Sequence, residues 1–181
     1  MRRFRSAAEG LTTARKAGSG QDADPVGAMI FTPEELAQIK GQAEAEYPAE
    51  CCGVLLLRAH PGPVRLLLPC RNIQDDLHQR DPETHPRDSR TAYFIDPKDL
   101  LTIGRREGEG YHVAVIYHSH IDAGAYFSAT DKRNALIDGQ PTYPDAIYVV
   151  LSVLESKVAD ARSFVWDAAA RDFVAGEPTG S

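Results

Sequence analysis

The chain has 181 residues, 43% of them hydrophobic, and a formal net charge of −6 from 20 basic and 26 acidic side chains. That length suits one domain with a real core, and no run of about eighteen apolar residues marks a membrane span. Residues 1–28 hold five basic and three acidic residues, so the remainder carries −8 and is a poor electrostatic match for nucleic acid.

Residues 1–28 include Arg2, Arg3 and Arg5 but no apolar stretch behind them, so they do not read as a secretory signal. Their Gly, Ala, Ser and Asp content reads as a mobile tail, and Met29, just ahead of the first structural signal, is a candidate native start. Thr32-Pro33-Glu34-Glu35 supplies an N-cap, a proline at N1 and a glutamate at N3. Leu36, Ile39 and Ala43 then make one apolar stripe, and Pro48 ends the helix. Strands are expected at Cys52–Arg58 and Val64–Cys70, followed by a charged insertion loop over 72–90. Thr91–Ile95 reads as a strand, and Asp96-Pro97 opens a second helix that stops near Gly108 and Gly110. A strand at His112–Tyr117 precedes a third helix over Ala129–Ile137, capped by Ser128. Ala146–Leu154, Arg162–Trp166 and Arg171–Val174 read as further strands, with Trp166 in the core and 177–181 as a second disordered tail. Strands in hairpin runs that outnumber the helices favour an α+β fold with a mixed sheet flanked by helices.

The three cysteines, Cys51, Cys52 and Cys70, include an adjacent pair and have no Cys-x-x-Cys spacing. They form no disulfide framework; small buried strand residues in a reducing, cytoplasmic setting fit them better.

One segment carries chemistry. After the apolar run Val113–Tyr117 come His118-Ser119-His120, seven further residues, then Ser128-x-x-Asp131. Residues two apart in an extended chain share a face, so both imidazoles can aim at one point. Residues three apart at a helix start also share a face. Two imidazoles and a carboxylate suit zinc, with a fourth tetrahedral position left for water. Taken singly, each half has a plainer reading: strand-end histidines bonded to backbone, and a Ser-x-x-Asp capping box. Their coincidence across one short loop favours the metal site. Glu50, between the helix stop and the apolar strand, would alone be a solvated loop acid. Beside a metal it is the non-ligand base that activated water requires. Asp122 reads first as a turn-former and second as an outer partner of an imidazole. His60, His78, His85 and His112 lack paired ligand spacing.

Glu50 followed by His118-x-His120, seven residues and Ser128-x-x-Asp131 resembles the JAMM (MPN+) zinc metalloproteases, and Tyr47-Pro48-Ala49-Glu50-Cys51-Cys52-Gly53 is similar to their short bacterial branch. The resemblance covers roughly residues 29–175. It implies a cytidine-deaminase-like sheet between helices, and Zn²⁺ held by His118, His120 and Asp131. Glu50 would then be general acid/base, with Ser128 supporting the tetrahedral intermediate. It also implies a ubiquitin-like or sulfur-carrier-like protein as substrate, cut at its C-terminus through a peptide or isopeptide bond. Ile121 and Phe127 stand where many members carry proline, which alters the loop and not the catalytic set. A metallohydrolase of the same fold acting on another small amide, or a metal-free scaffold, are the alternatives; complete ligands argue against the second. Segment 72–90 is expected to grip a folded partner.

Overall fold

A computed structural model of the chain describes residues 30–176; the expected tails at 1–28 and 177–181, and Met29, lie outside them. The first helix, α1 (Pro33–Glu46), starts as its sequence dictates. Thr32 Oγ1 accepts the Glu35 N–H at 3.2 Å, and the Glu35 carboxylate accepts the Thr32 N–H at 2.9 Å. Ile39 and Ala43 are fully buried, with Leu36 packed beside them.

Six strands form one sheet, residues 64–70, 52–58, 112–121, 147–154, 157–167 and 172–175 lying side by side in that order. β1 (Cys52–Arg58) pairs antiparallel with β2 (Val64–Cys70) and with β3 (His112–Ile121). β3 pairs in parallel with β6 (Ile147–Leu154); β7 (Lys157–Asp167) and β8 (Asp172–Ala175) follow antiparallel. A parallel pair needs a crossover, and here it contains α4 (Ala129–Ala135) and the two-residue strands β4 (Leu136–Ile137) and β5 (Gln140–Pro141). The mixed sheet with helices on its faces is the expected fold class.

Strand alternation divides the core. Leu55, Val115, Tyr117 and Val149 face α1, whereas Val54, Leu56, Ile116 and Val150 face Ile103 of α3 (Pro97–Gly108). His118 and His120 continue the second set, so sheet parity sends both imidazoles to the α3/α4 side. All three cysteines are buried and free, and Trp166 is half-buried against the second cluster. Among the described residues, no helix is long and apolar enough to cross a membrane.

Four expectations need correction. Segment 72–90 is no featureless loop: it contains α2 (Gln74–Arg80), and both Gln74 and Ser89 are buried. Thr91–Ile95 forms no strand beyond a single bridge between Asn72 and Ile95. The Asn72 side chain takes the bonds a neighbouring strand would make, accepting from Phe94 N–H and donating to the Ala92 carbonyl. α4 stops at Ala135, not Ile137, because Asp138 and Gly139, both at positive φ, turn the chain into the β4–β5 hairpin. β3 runs on to Ile121, so the histidines sit within the strand and not after it.

Candidate metal centre

The site is assembled from the C-terminal half of β3, the start of α4 and the turn before β1. His118 Nε2 and His120 Nε2 lie 3.2 Å apart; Asp131 Oδ1 is 3.5 Å from the first and Oδ2 is 3.4 Å from the second. All three residues are buried, and their ligand atoms fall within 4.8 Å of one another. His120 Nδ1 donates to the Gly124 carbonyl at 3.1 Å, an acceptor only, which leaves Nε2 with its lone pair facing the site. His118 is sandwiched: the Tyr93 ring stacks on it with centroids 4.6 Å apart, and Phe127 lies on another side at 6.4 Å.

Electrostatics reinforce this. Burial lowers the His118 pKa against the pull of Asp131, so the ring is neutral. Burial alone would push the Asp131 carboxyl up. The adjacent His118 and His120 imidazoles and the Ser128 contact outweigh it and hold the group well below the usual carboxylate range. Neutral imidazoles and an ionised carboxylate are the forms that bind a cation.

Asp131 is oriented by a capping box. Its Oδ2 accepts the Ser128 N–H at 2.7 Å, while Ser128 Oγ accepts the Asp131 N–H at 3.1 Å. The capping reading and the metal reading therefore hold together. Among the described residues, Ser128 Oγ accepts only that bond and its own O–H meets no acceptor.

Glu50 is 5% exposed, and among the described residues its carboxylate has no hydrogen-bond partner. Its backbone is clamped: Glu50 N–H donates to the Ser89 carbonyl at 2.7 Å, and Asn72 Nδ2 donates to the Glu50 carbonyl at 2.9 Å. The ladder past the Cys52–His118 pair continues through Ser119 N–H to the Cys51 carbonyl, which puts Glu50 opposite His120. Burial, then the nearby Asp131 charge, push its pKa up to about 9. Asp122 is no partner of an imidazole: it is exposed, at φ 50, and accepts from Arg90 at 2.7 Å and Tyr47 at 3.1 Å. His60 and His112 are exposed, and His78 bonds to the His85 carbonyl.

Tyr93, Asn72 and the Gly124 carbonyl were not singled out from sequence. Nothing local marks them, because each acts through a contact across the fold. Phe127 anchors the loop by packing on Tyr148, Phe164 and Phe173, with ring centroids 4.8–5.5 Å away.

Residues 32–167 match the family described as prokaryotic homologs of the JAB domain. The chain belongs to the prokaryotic JAB family. Among JAB-domain relatives, CysO-cysteine peptidase of Mycobacterium tuberculosis is 33% identical over 137 residues, 75% of this chain and 81% of that protein. Desampylase of Haloferax volcanii is 27% identical over 118 residues, 65% of this chain and 72% of that protein. Peptidase and desampylase relatives support a hydrolase. The fold matches a solved protein of Desulfitobacterium hafniense at a TM-score of 0.56 and 23% identity, covering 81% of this chain and 88% of that one. A solved protein of Salinibacter ruber matches at 0.52 and 23%, covering 83% and 90%.

Proposed function

We propose that this JAB-family chain is a zinc-dependent peptidase that hydrolyses a peptide or isopeptide bond at the C-terminus of a ubiquitin-like or sulfur-carrier-like protein. The convergence of His118, His120 and Asp131 carries the reading. Tetrahedral zinc with bonds of about 2.0–2.2 Å sets its ligands about 3.3–3.6 Å apart. The imidazole nitrogens stand 3.2 Å apart and each lies 3.4–3.5 Å from an oxygen of Asp131, a different one for each ring, which supports that fit. Bound there, zinc supplies a Lewis acid that polarises a carbonyl and lowers the pKa of water from about 15.7 towards ~7.

The chain's own residues supply the rest. Glu50, clamped by Asn72 and Ser89 and free of hydrogen bonds at its carboxylate among the described residues, takes the proton of the attacking water and returns it to the leaving nitrogen. A cation at the triad offsets both influences that raise Glu50, its burial and the Asp131 charge. Ser128 O–H, already fixed by the cap, donates to the scissile carbonyl oxygen as it gains charge. The relatives' names support hydrolysis; the motif's resemblance to JAMM proteases supports the choice of substrate.

The experiment is to measure zinc per chain and incubate the loaded protein with a diglycine-ended ubiquitin-like protein extended or linked at its C-terminus. Mass spectrometry should show release at the diglycine. A protein that takes up no zinc would remove the metal from the mechanism. A zinc-loaded protein that leaves every such substrate intact would remove the substrate class.

A further inference from the structure

A cavity of about 580 Å³ adjoins the metal centre. Its floor is Ile116 of β3 and Tyr148 of β6, which are register partners, and the next pair on the same face is His118 and Val150. Tyr93 lines the cavity and stacks on His118, so one ring is the wall between the two spaces. The cavity therefore lies one strand alternation away from the first histidine.

Three features indicate what it holds. Tyr148 is 3% exposed; its ring is packed by Phe127 and Phe173, yet its hydroxyl has no partner among the described residues. A buried hydroxyl left unpaired is costly, and such groups in native structures call for an explanation. Furthermore, no aspartate or glutamate lines the cavity although the chain's net charge is −6. Arg87 and Arg133 do line it, both exposed and donating to uncharged oxygens, the Thr91 carbonyl and the Thr130 hydroxyl. The rest of the wall is largely apolar, with Leu100 and Ile116 on it. A group that accepts hydrogen bonds, carries negative charge and sits on a carbon skeleton complements all three features.

We propose that this cavity is a specificity subsite for a carboxylate-bearing residue next to the scissile bond, with the Tyr148 hydroxyl and the Arg87 and Arg133 guanidinium groups as its donors. The carboxylate is either the α-carboxylate of a C-terminal residue or an acidic side chain. The proposal rests on the peptidase reading for its substrate. It assigns selection against a cationic residue at this position.

Binding to the zinc-loaded Glu50→Gln chain tests it without turnover, by calorimetry with three short peptides. One is a diglycine peptide followed by leucine with a free carboxylate, the second is its C-terminal amide, and the third is an amide with glutamate in place of that leucine. A charged hydrogen-bonded contact should make one or both carboxylate-bearing peptides bind about tenfold more tightly than the neutral amide. Preference for the free acid assigns the α-carboxylate, and preference for the glutamate amide assigns a side chain. Adding Tyr148→Phe or Arg133→Gln should remove most of the preference while leaving zinc content and unfolding temperature unchanged. Equal affinity for the three peptides, or a preference that survives both substitutions, overturns the proposal. Because binding is read separately from cleavage, failure here differs from failure to cut a ubiquitin-like protein.

Discussion

The Ser128 N–H donates to Asp131 Oδ2 at 2.7 Å, and that same oxygen lies 3.4 Å from His120 Nε2. One carboxylate thus starts a helix and completes the proposed ligand set. The capping box fixes its rotamer, so the proposed metal site inherits its geometry from secondary structure instead of requiring a dedicated support.

This coupling makes Ser128→Ala informative. Loss of the cap alone should cost about 1 kcal/mol of stability. Loss of a donor to the developing oxyanion should lower turnover by about 10²–10³. Thermal unfolding and single-substrate kinetics on the same preparation separate the two. A variant that is less stable and fully active would reduce Ser128 to a cap.

Glu50→Gln should abolish hydrolysis and retain about one zinc per chain, because Glu50 is assigned as base and not ligand. His118→Ala or Asp131→Ala should lose the metal too. The metal-free protein offers a second readout. Glu50 is raised from its ordinary value of 4.5 to about 9 in the fold. Its contribution is therefore fully present below 4.5 and is lost as pH rises through about 9. Metal-free Glu50→Gln should lack that loss and be the more stable protein on the alkaline side. Parallel pH–stability curves for the two would show that Glu50 is not raised.

Gly53→Ala should destabilise the fold without touching any site residue. A Cβ there would overlap the Tyr117 hydroxyl and approach the Leu68 carbonyl oxygen to 2.6 Å. Tyr117 cannot easily yield: it is fully buried and donates to Gln42 Oε1 at 2.7 Å. Overpacking of this kind typically costs about 1–3 kcal/mol. Denaturant unfolding measures it, and a change near zero would mean that the Tyr117 ring moves freely.

Shortening 72–90 should impair cleavage of short peptides and of folded substrates alike. Both ends of the segment hold Glu50, through Asn72 Nδ2 and the Ser89 carbonyl, so its removal releases the proposed base. Comparative kcat/KM on the two substrate types checks this. Loss confined to the folded substrate would restore the expected role of gripping a partner.

Much of the fold was legible because its signals are local. Thr32 with Glu35, Ser128 with Asp131, and Asp96 with Pro97 each mark a helix start within a few residues. The bounds of β1 and β2 follow from apolar runs closed by charged residues and turn-formers. Thr91–Ile95 misled because its composition suits a strand, while the Asn72 side chain occupies its hydrogen-bonding groups. The Asp138-Gly139 hairpin was a readable turn signal directly after the expected end of that helix.

By itself the sequence determined which groups could meet: the His-x-His spacing on an extended strand, the Ser-x-x-Asp helix start, and a glutamate ahead of β1. These follow from backbone periodicity, which neighbours two to four residues apart obey in any context. Tertiary structure alone decided the rest. Antiparallel pairing of β1 with β3 brought Glu50 across from His120, although 70 positions separate them in the chain. Packing laid Tyr93 on His118, docked Asn72 and Ser89 onto the Glu50 backbone, and left the Tyr148 hydroxyl buried without a partner among the described residues. Contacts of that range depend on how elements stack, and no local spacing encodes them.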